Sequence, residues 1–195
     1  MNVQSLLRPG FLALAVLATS CTASVREGTG SSFLIIESLT ASAGTSDEDT
    51  GFLLSDVLTG GGVINDSGSV TFRLGLKDPG PSGTPIAPTA NQFITVDRYR
   101  IKYVRADGRN IQGVDVPYEF DGACTVTVTD GGGGCGFLLV RHTAKREPPL
   151  AALANDFVKI DTIAEITFYG RDQTGHQTSV TGRITISFGN FADPE

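Results

Sequence analysis

Few residues in this 195-residue chain could do chemistry, and their spacing narrows what that chemistry could be. His142 and His176 are its two imidazoles. No Gly-x-Ser-x-Gly run places a serine on a strand-to-helix turn, so a hydrolytic Ser-His-Asp arrangement has no signature here. The cysteine and histidine spacings match no zinc-ligand pattern. The glycine run at 131–134 lacks a following Lys-Ser/Thr and leads into a strand, so it is no phosphate loop. "SDEDTG" sets Asp47, Glu48 and Asp49 side by side, and hard cations such as calcium want oxygen clusters. Three adjacent acids do not converge on one ion without unusual geometry, so a solvated acidic loop is expected. Asp161 and Asp172 add oxygens but no ligand spacing. These readings predict no catalytic residue, no metal and no cofactor.

The formal net charge of −6 argues against a nucleic-acid partner, because phosphate binding needs a basic footprint. One stretch runs against that balance. Arg98, Arg100 and Lys102 alternate along one strand candidate, with Arg105 and Arg109 just beyond. Such a stripe could meet an anionic polymer, for example lipopolysaccharide or another acidic glycan. The alternative is cross-strand pairing with Asp and Glu, which is common on sheets. Tyr99 and Tyr103 fall on the opposite face and are expected in the core.

The N-terminus carries a different chemistry. Arg8 and the free amine precede "FLALAVLA", an apolar run too short to span a bilayer. The run leads into "LATSC", which resembles the lipobox of bacterial lipoproteins: Ala18, Thr19 and Ser20 fit the small positions, and Cys21 fits the lipidated one. Leu17 stands one position farther from the cysteine than the family's usual leucine. The resemblance implies a signal peptide over 1–20 and acylation of Cys21. Thr22, rather than Asp, after the cysteine implies the outer membrane. Each buried methylene of an acyl chain contributes roughly 0.8 kcal/mol, so several chains give stable anchoring. Plain secretion with a free thiol is the alternative. Residues 21–32 then read as the lipidated cysteine and a flexible tether, small and polar without periodicity.

In an oxidising compartment, the remaining Cys124 and Cys135 are expected to form a disulfide; two free or buried thiols are the alternative. They flank "TVTVTDGGGG" asymmetrically, so a tight hairpin would not set them opposite each other. Neither their position nor the absence of tryptophan fits the core bridge and core Trp of antibody domains.

From residue 33 to 195 the pattern has period two, with polar turns. "SVTFRLGLKD", "ITVDRYRIKYVRAD" and "GRITISF" alternate apolar and polar residues, as half-buried strands do. Further strands are predicted at 33–40, 52–58, 115–128, 136–143 and 162–170. Turns are predicted at 65–68, 78–85, 106–110, 130–134 and 172–177. "PPLAALAND" at 148–156 suits one short helical crossover. The expected fold is all-β: a single antiparallel sandwich of seven to eight strands. The stretch "AEITFYGRDQTGHQTSVTGRITISF" resembles the last hairpin of an immunoglobulin-like or fibronectin-like domain. The expected role is a non-enzymatic interaction or structural module with an envelope protein partner. A glycan-binding or adhesin-like module is the alternative, and a hydrolase is the third reading.

Changing Cys21 to Ser tests the anchor. The variant is expected to leave the membrane fraction and to keep an unprocessed N-terminus; unchanged fractionation and processing contradict lipidation.

Overall fold

The computed structural model describes residues 30–44, 46 and 48–191. The signal segment 1–20, Cys21 and most of the expected tether lie outside the described residues, as does Asp47.

Among the described residues eight strands follow one another: β1 (Ser32–Ser42), β2 (Phe52–Asp56), β3 (Asp66–Leu76), β4 (Ile94–Val104), β5 (Phe120–Val128), β6 (Gly133–Val140), β7 (Ile160–Asp172) and β8 (Gln177–Gly189). They form two sheets, ordered β1-β3-β6 and β2-β8-β7-β4-β5. The two inner faces enclose one core, so the all-β sandwich expected from the alternation is the fold observed. The apolar phases read from sequence are the buried ones: Val70, Phe72 and Leu74 on β3, and Ile184, Ile186 and Phe188 on β8.

An aromatic cluster fills the centre. Phe72 meets Phe168 edge-on at 5.1 Å between centroids, and Phe137 meets Phe168 at 5.4 Å. Tyr99 stands 5.2 Å from Phe137. Such contacts each add about 0.5–1.5 kcal/mol beyond area burial. The Tyr99 ring lies so close to β5 that a Cβ on residue 122 would sit 2.3 Å from it, so Gly122 is required there.

The structure differs from the sequence reading in several places. One pairing is parallel: β2 lies beside β8, with Phe52 opposite Thr185 and Asp56 opposite Gly189. The chain reaches β2 by crossing from β1 in the other sheet, and a crossover permits a parallel neighbour where a hairpin does not. "NDSG" at 65–68 is no turn. Asp66 to Gly68 open β3 and pair with β6, because the Asp66 side chain is drawn inside. His142 leaves its predicted strand and begins a one-turn helix, α1 (His142–Lys145). The crossover predicted over 148–156 is a 3-10 segment, Leu150–Asn155, anchored by buried Leu150 and Leu153. The folded body begins earlier than residue 33. Ser32 starts β1, its Oγ donates to the Gln92 carbonyl at 2.7 Å, and the Ser31 carbonyl accepts from Lys77 N.

β4 carries a bulge at Asp97, where its register shifts against both neighbours. Before it Ile94 and Val96 point inward; after it Tyr99, Ile101 and Tyr103 do. One extra residue swaps the buried parity, as a bulge must.

The cysteines form the expected disulfide, and the correction is to its place in the fold. Cys124 and Cys135 are bridged, with Cα atoms 6.0 Å apart. Their offset about the glycine run had argued against opposition in a hairpin, and their placement against a bridge between sheets. β5 and β6 are no hairpin. β5 is the edge of the five-stranded sheet and β6 the edge of the three-stranded one. The chain turns between them at Thr129–Gly132, where Gly132 takes φ +78°. The disulfide therefore spans the two sheets at one side of the sandwich.

Replacing both cysteines by alanine is expected to lower the unfolding free energy by about 3 kcal/mol, measured by urea titration, since the loop closed is short. Reduced wild type should match the double variant. Equal stability of the variant and oxidised wild type contradicts the clamp.

Candidate functional site

Strand directions sort the loops into two ends. Val104 lies opposite Ile163, Ile160 opposite Phe188, Asp56 beside Gly189, and Asp66 opposite Val140. Loops 57–65, 105–119 and 141–159 thus gather at one end. Gly30, the 129–132 turn and the 173–176 turn lie at the other, where a Cβ on Gly30 would touch Asp172 and His176. The chain enters the fold at the end away from the three loops.

Those loops display apolar side chains. Phe157 is fully exposed, Ile111 and Val114 are 65% and 64% exposed, and Tyr118 and Val158 are also open to solvent. Their backbone is held. Asp115 N–H, at 2.8 Å, and Val114 N–H, at 3.1 Å, both donate to the Ile111 carbonyl, and Ile111 N–H donates to the Asp115 carboxylate at 3.1 Å. Asn110 accepts from Arg105 N–H at 2.7 Å. Asp107 accepts from the Arg105 side chain and from the Arg109 backbone N–H and side chain, and these bonds, that from Arg105 first, hold its carboxyl well below the usual carboxylate range. Val116 anchors the loop in the core. A second apolar patch lies on the edge strand β2, where Phe52 and Leu54 are exposed.

The basic stripe occupies the outer face of the five-stranded sheet. Arg98 and Arg100 both grip Asp121 on β5, at 2.6 and 2.7 Å. The Arg98 guanidinium also lies 4.1 Å over the Tyr169 ring. Arg105 pairs with Asp107 at 2.6 Å. Lys102 stands opposite Glu165, which itself pairs with Arg183 at 2.9 Å. Cross-strand pairing thus engages Arg98 and Arg100, and a local pair within the following turn engages Arg105. Tyr99 and Tyr103 are buried, as their phase predicted.

The histidines lie at opposite ends of the molecule. His142 N–H donates to Asn65 Oδ1 at 2.6 Å. His176 Nδ1 contacts both Asp172 Oδ2, at 3.0 Å, and Thr174 Oγ1, at 2.7 Å. A proton relay from hydroxyl to carboxylate needs opposite ring nitrogens, whereas here one nitrogen meets both. Glu48 and Asp49 are exposed, and among the described residues no group of three or more His, Cys, Asp and Glu could hold a metal ion. Asp161 is taken by Ser187 and Lys159.

One cluster escaped the sequence reading. Asp66, Lys145 and Ser55 are buried together between the sheets at the loop-bearing end. Lys145 Nζ lies 3.0 Å from Asp66 Oδ1 and 2.9 Å from Oδ2. Ser55 Oγ donates to Oδ2 at 2.6 Å, and Gly44 N–H donates to Oδ1 at 3.1 Å. Burial raises the Asp66 carboxyl above its usual value, against the opposing pull of Lys145 and the hydrogen bonds. The three residues come from separate segments, and only the fold unites them.

No protein-family model matches the chain, and neither a curated protein nor a solved structure is significantly similar to it. The class defined by the fold and its surfaces is a disulfide-clamped, two-sheet β-sandwich.

Asp172 offers a pH test. Burial raises its carboxyl, but hydrogen bonds from Thr174 and His176 outweigh this and leave it below 3.8. A carboxyl depressed in the fold contributes stability above the unfolded value, and the contribution fades as pH falls through the folded one. The stability advantage of wild type over Asp172→Asn should therefore be full above 3.8 and shrink below it, read by chemical denaturation across pH. An advantage constant with pH contradicts this.

Proposed function

We propose that this protein is a bacterial cell-envelope lipoprotein, fastened by Cys21 to the outer membrane, whose sandwich presents its loop-bearing end to a protein partner without catalysing a reaction. One observation carries the reading: hydrogen-bonded loops at the end away from residue 30 hold Ile111, Val114, Tyr118, Phe157 and Val158 out into solvent. Several exposed apolar groups on ordered loops at one end of a domain are characteristic of association surfaces. A module tethered at one end and apolar at the other is arranged to reach away from its anchor.

The strand order supports an immunoglobulin-like module. The run β8-β7-β4 corresponds to strands G, F and C of such domains, with β5 as C′, and β1-β3-β6 corresponds to A, B and E. Domains of this plan commonly bind through loops at one end. With its arginines engaged by carboxylates, the stripe gives the glycan alternative less support than the loops give a protein partner.

A photo-crosslinking residue at position 157 or 114, introduced into the chain in its native cell, tests the reading. A discrete protein adduct is expected from both positions, absent when the probe stands at Thr185 on the sheet face. The adduct at 157 should weaken at least tenfold when Ile111 and Val114 are changed to Ser, with folding unaltered by circular dichroism. Adducts from 185 alone, or none from the loops, contradict the assignment.

A further inference from the structure

We propose that Lys145 and Asp66 form an intramolecular covalent cross-link, the lysine amine condensing with the aspartate carboxyl to give a side-chain amide. The inference is independent of the partner-binding role. Four features of the site carry it. Both groups are out of water, the lysine side chain being 1% exposed and the aspartate 2%. The amine has the Asp66 carboxyl as its hydrogen-bond partner among the described residues and meets both of its oxygens within 3.0 Å. Each carboxyl oxygen also receives a donor, Gly44 N–H on Oδ1 and the Ser55 hydroxyl on Oδ2. The pair is pinned from four segments: the β1–β2 loop, β2, the start of β3 and α1.

The chemistry follows from that arrangement. The step moves one proton from Nζ onto the Asp66 carboxylate, which frees the nitrogen lone pair and leaves both groups uncharged where charge is costly. The raised Asp66 carboxyl lies in that direction. The Nζ lone pair then attacks Cγ, and a C–N bond forms. Gly44 N–H holds the charge that develops on Oδ1, as a backbone donor does in an oxyanion hole. Oδ2 carries the proton received from Nζ, takes a second from Nζ directly or through the Ser55 hydroxyl, which regains its own, and departs as water when the C–O bond breaks, leaving one hydrogen on the amide nitrogen. Nothing is oxidised or reduced, and the net change is loss of one water. Fixed contact of two reactants is worth effective molarities on the order of 10⁵–10⁸ M, which offsets the slowness of the reaction in solution. The product would join α1 to the start of β3, tying the 141–159 loop to the sandwich.

Peptide mapping of the full chain, purified, reduced and digested with trypsin, tests this. Amidated Lys145 is no trypsin site, so residues 142–146 are expected joined to residues 27–73, at the summed mass less one water. Fragmentation should place the link at Lys145 and Asp66. Complete cleavage after Lys145 with both peptides free overturns the proposal. Water loss confined to peptide 27–73 also overturns it, since an Asp-Ser pair can cyclise without the lysine. Lys145→Arg keeps the charge and removes the nucleophile; the joined species must vanish, and its persistence is equally contrary. Ser55→Ala should slow its appearance in freshly folded protein at least tenfold.

Discussion

Strand β6 is the element on which the sandwich depends, and the five-stranded sheet holds it by side chains. β6 pairs with β3 on one side only. From β4, across the core, the Tyr103 hydroxyl donates to the Leu139 carbonyl at 2.7 Å. The Tyr99 hydroxyl donates to the Leu138 carbonyl at 3.0 Å and accepts from Leu138 N–H at 3.1 Å. The Cys124–Cys135 bridge adds a covalent tie at the same edge. A buried tyrosine hydroxyl needs a partner, and main-chain groups at a sheet edge need one too. Each requirement here satisfies the other. Burial pushes the Tyr103 hydroxyl far above its ordinary range, so it stays a neutral donor.

These ties depend on the bulge at Asp97. Were β4 regular through Asp97, Tyr99 and Tyr103 would lie on the solvent face and Arg98 and Arg100 would point into the core. The bulge thus places the hydroxyls inside and the cations outside together. On the outside, Asp97 pairs with Arg171 at 3.2 Å. These exposed ion pairs contribute little stability each, about 0–1 kcal/mol. Their effect is to leave the broad sheet face balanced in charge. Most of the exposed large apolar groups among the described residues lie instead on the loops and on β2, with Phe33 on β1 and Ile163 on β7 the exceptions.

Alternation made the strands legible, because half-burial imposes period two on Val70–Phe72–Leu74 or Ile184–Ile186–Phe188 whatever the topology. The disulfide was legible as a pair but not as a bridge between sheets, since two strands that turn into opposite sheets look the same in sequence as two strands of a hairpin. Asp66 was misread because "NDSG" has turn chemistry, and a buried lysine seventy-nine positions away overrode it. The loop-end surface was invisible for a related reason. Ile111, Val114 and Phe157 are ordinary apolar residues until the register sets their loops at one end, away from Gly30.

The cross-sheet tie is tested most directly by native-state hydrogen exchange of the β6 amides in Tyr99→Phe/Tyr103→Phe, with the disulfide intact. Leu138 and Leu139 are predicted to lose protection at least tenfold while β7 and β8 keep theirs, because the tyrosines hold the strand locally. Uniform loss across both sheets, or unchanged β6 protection, would contradict the account.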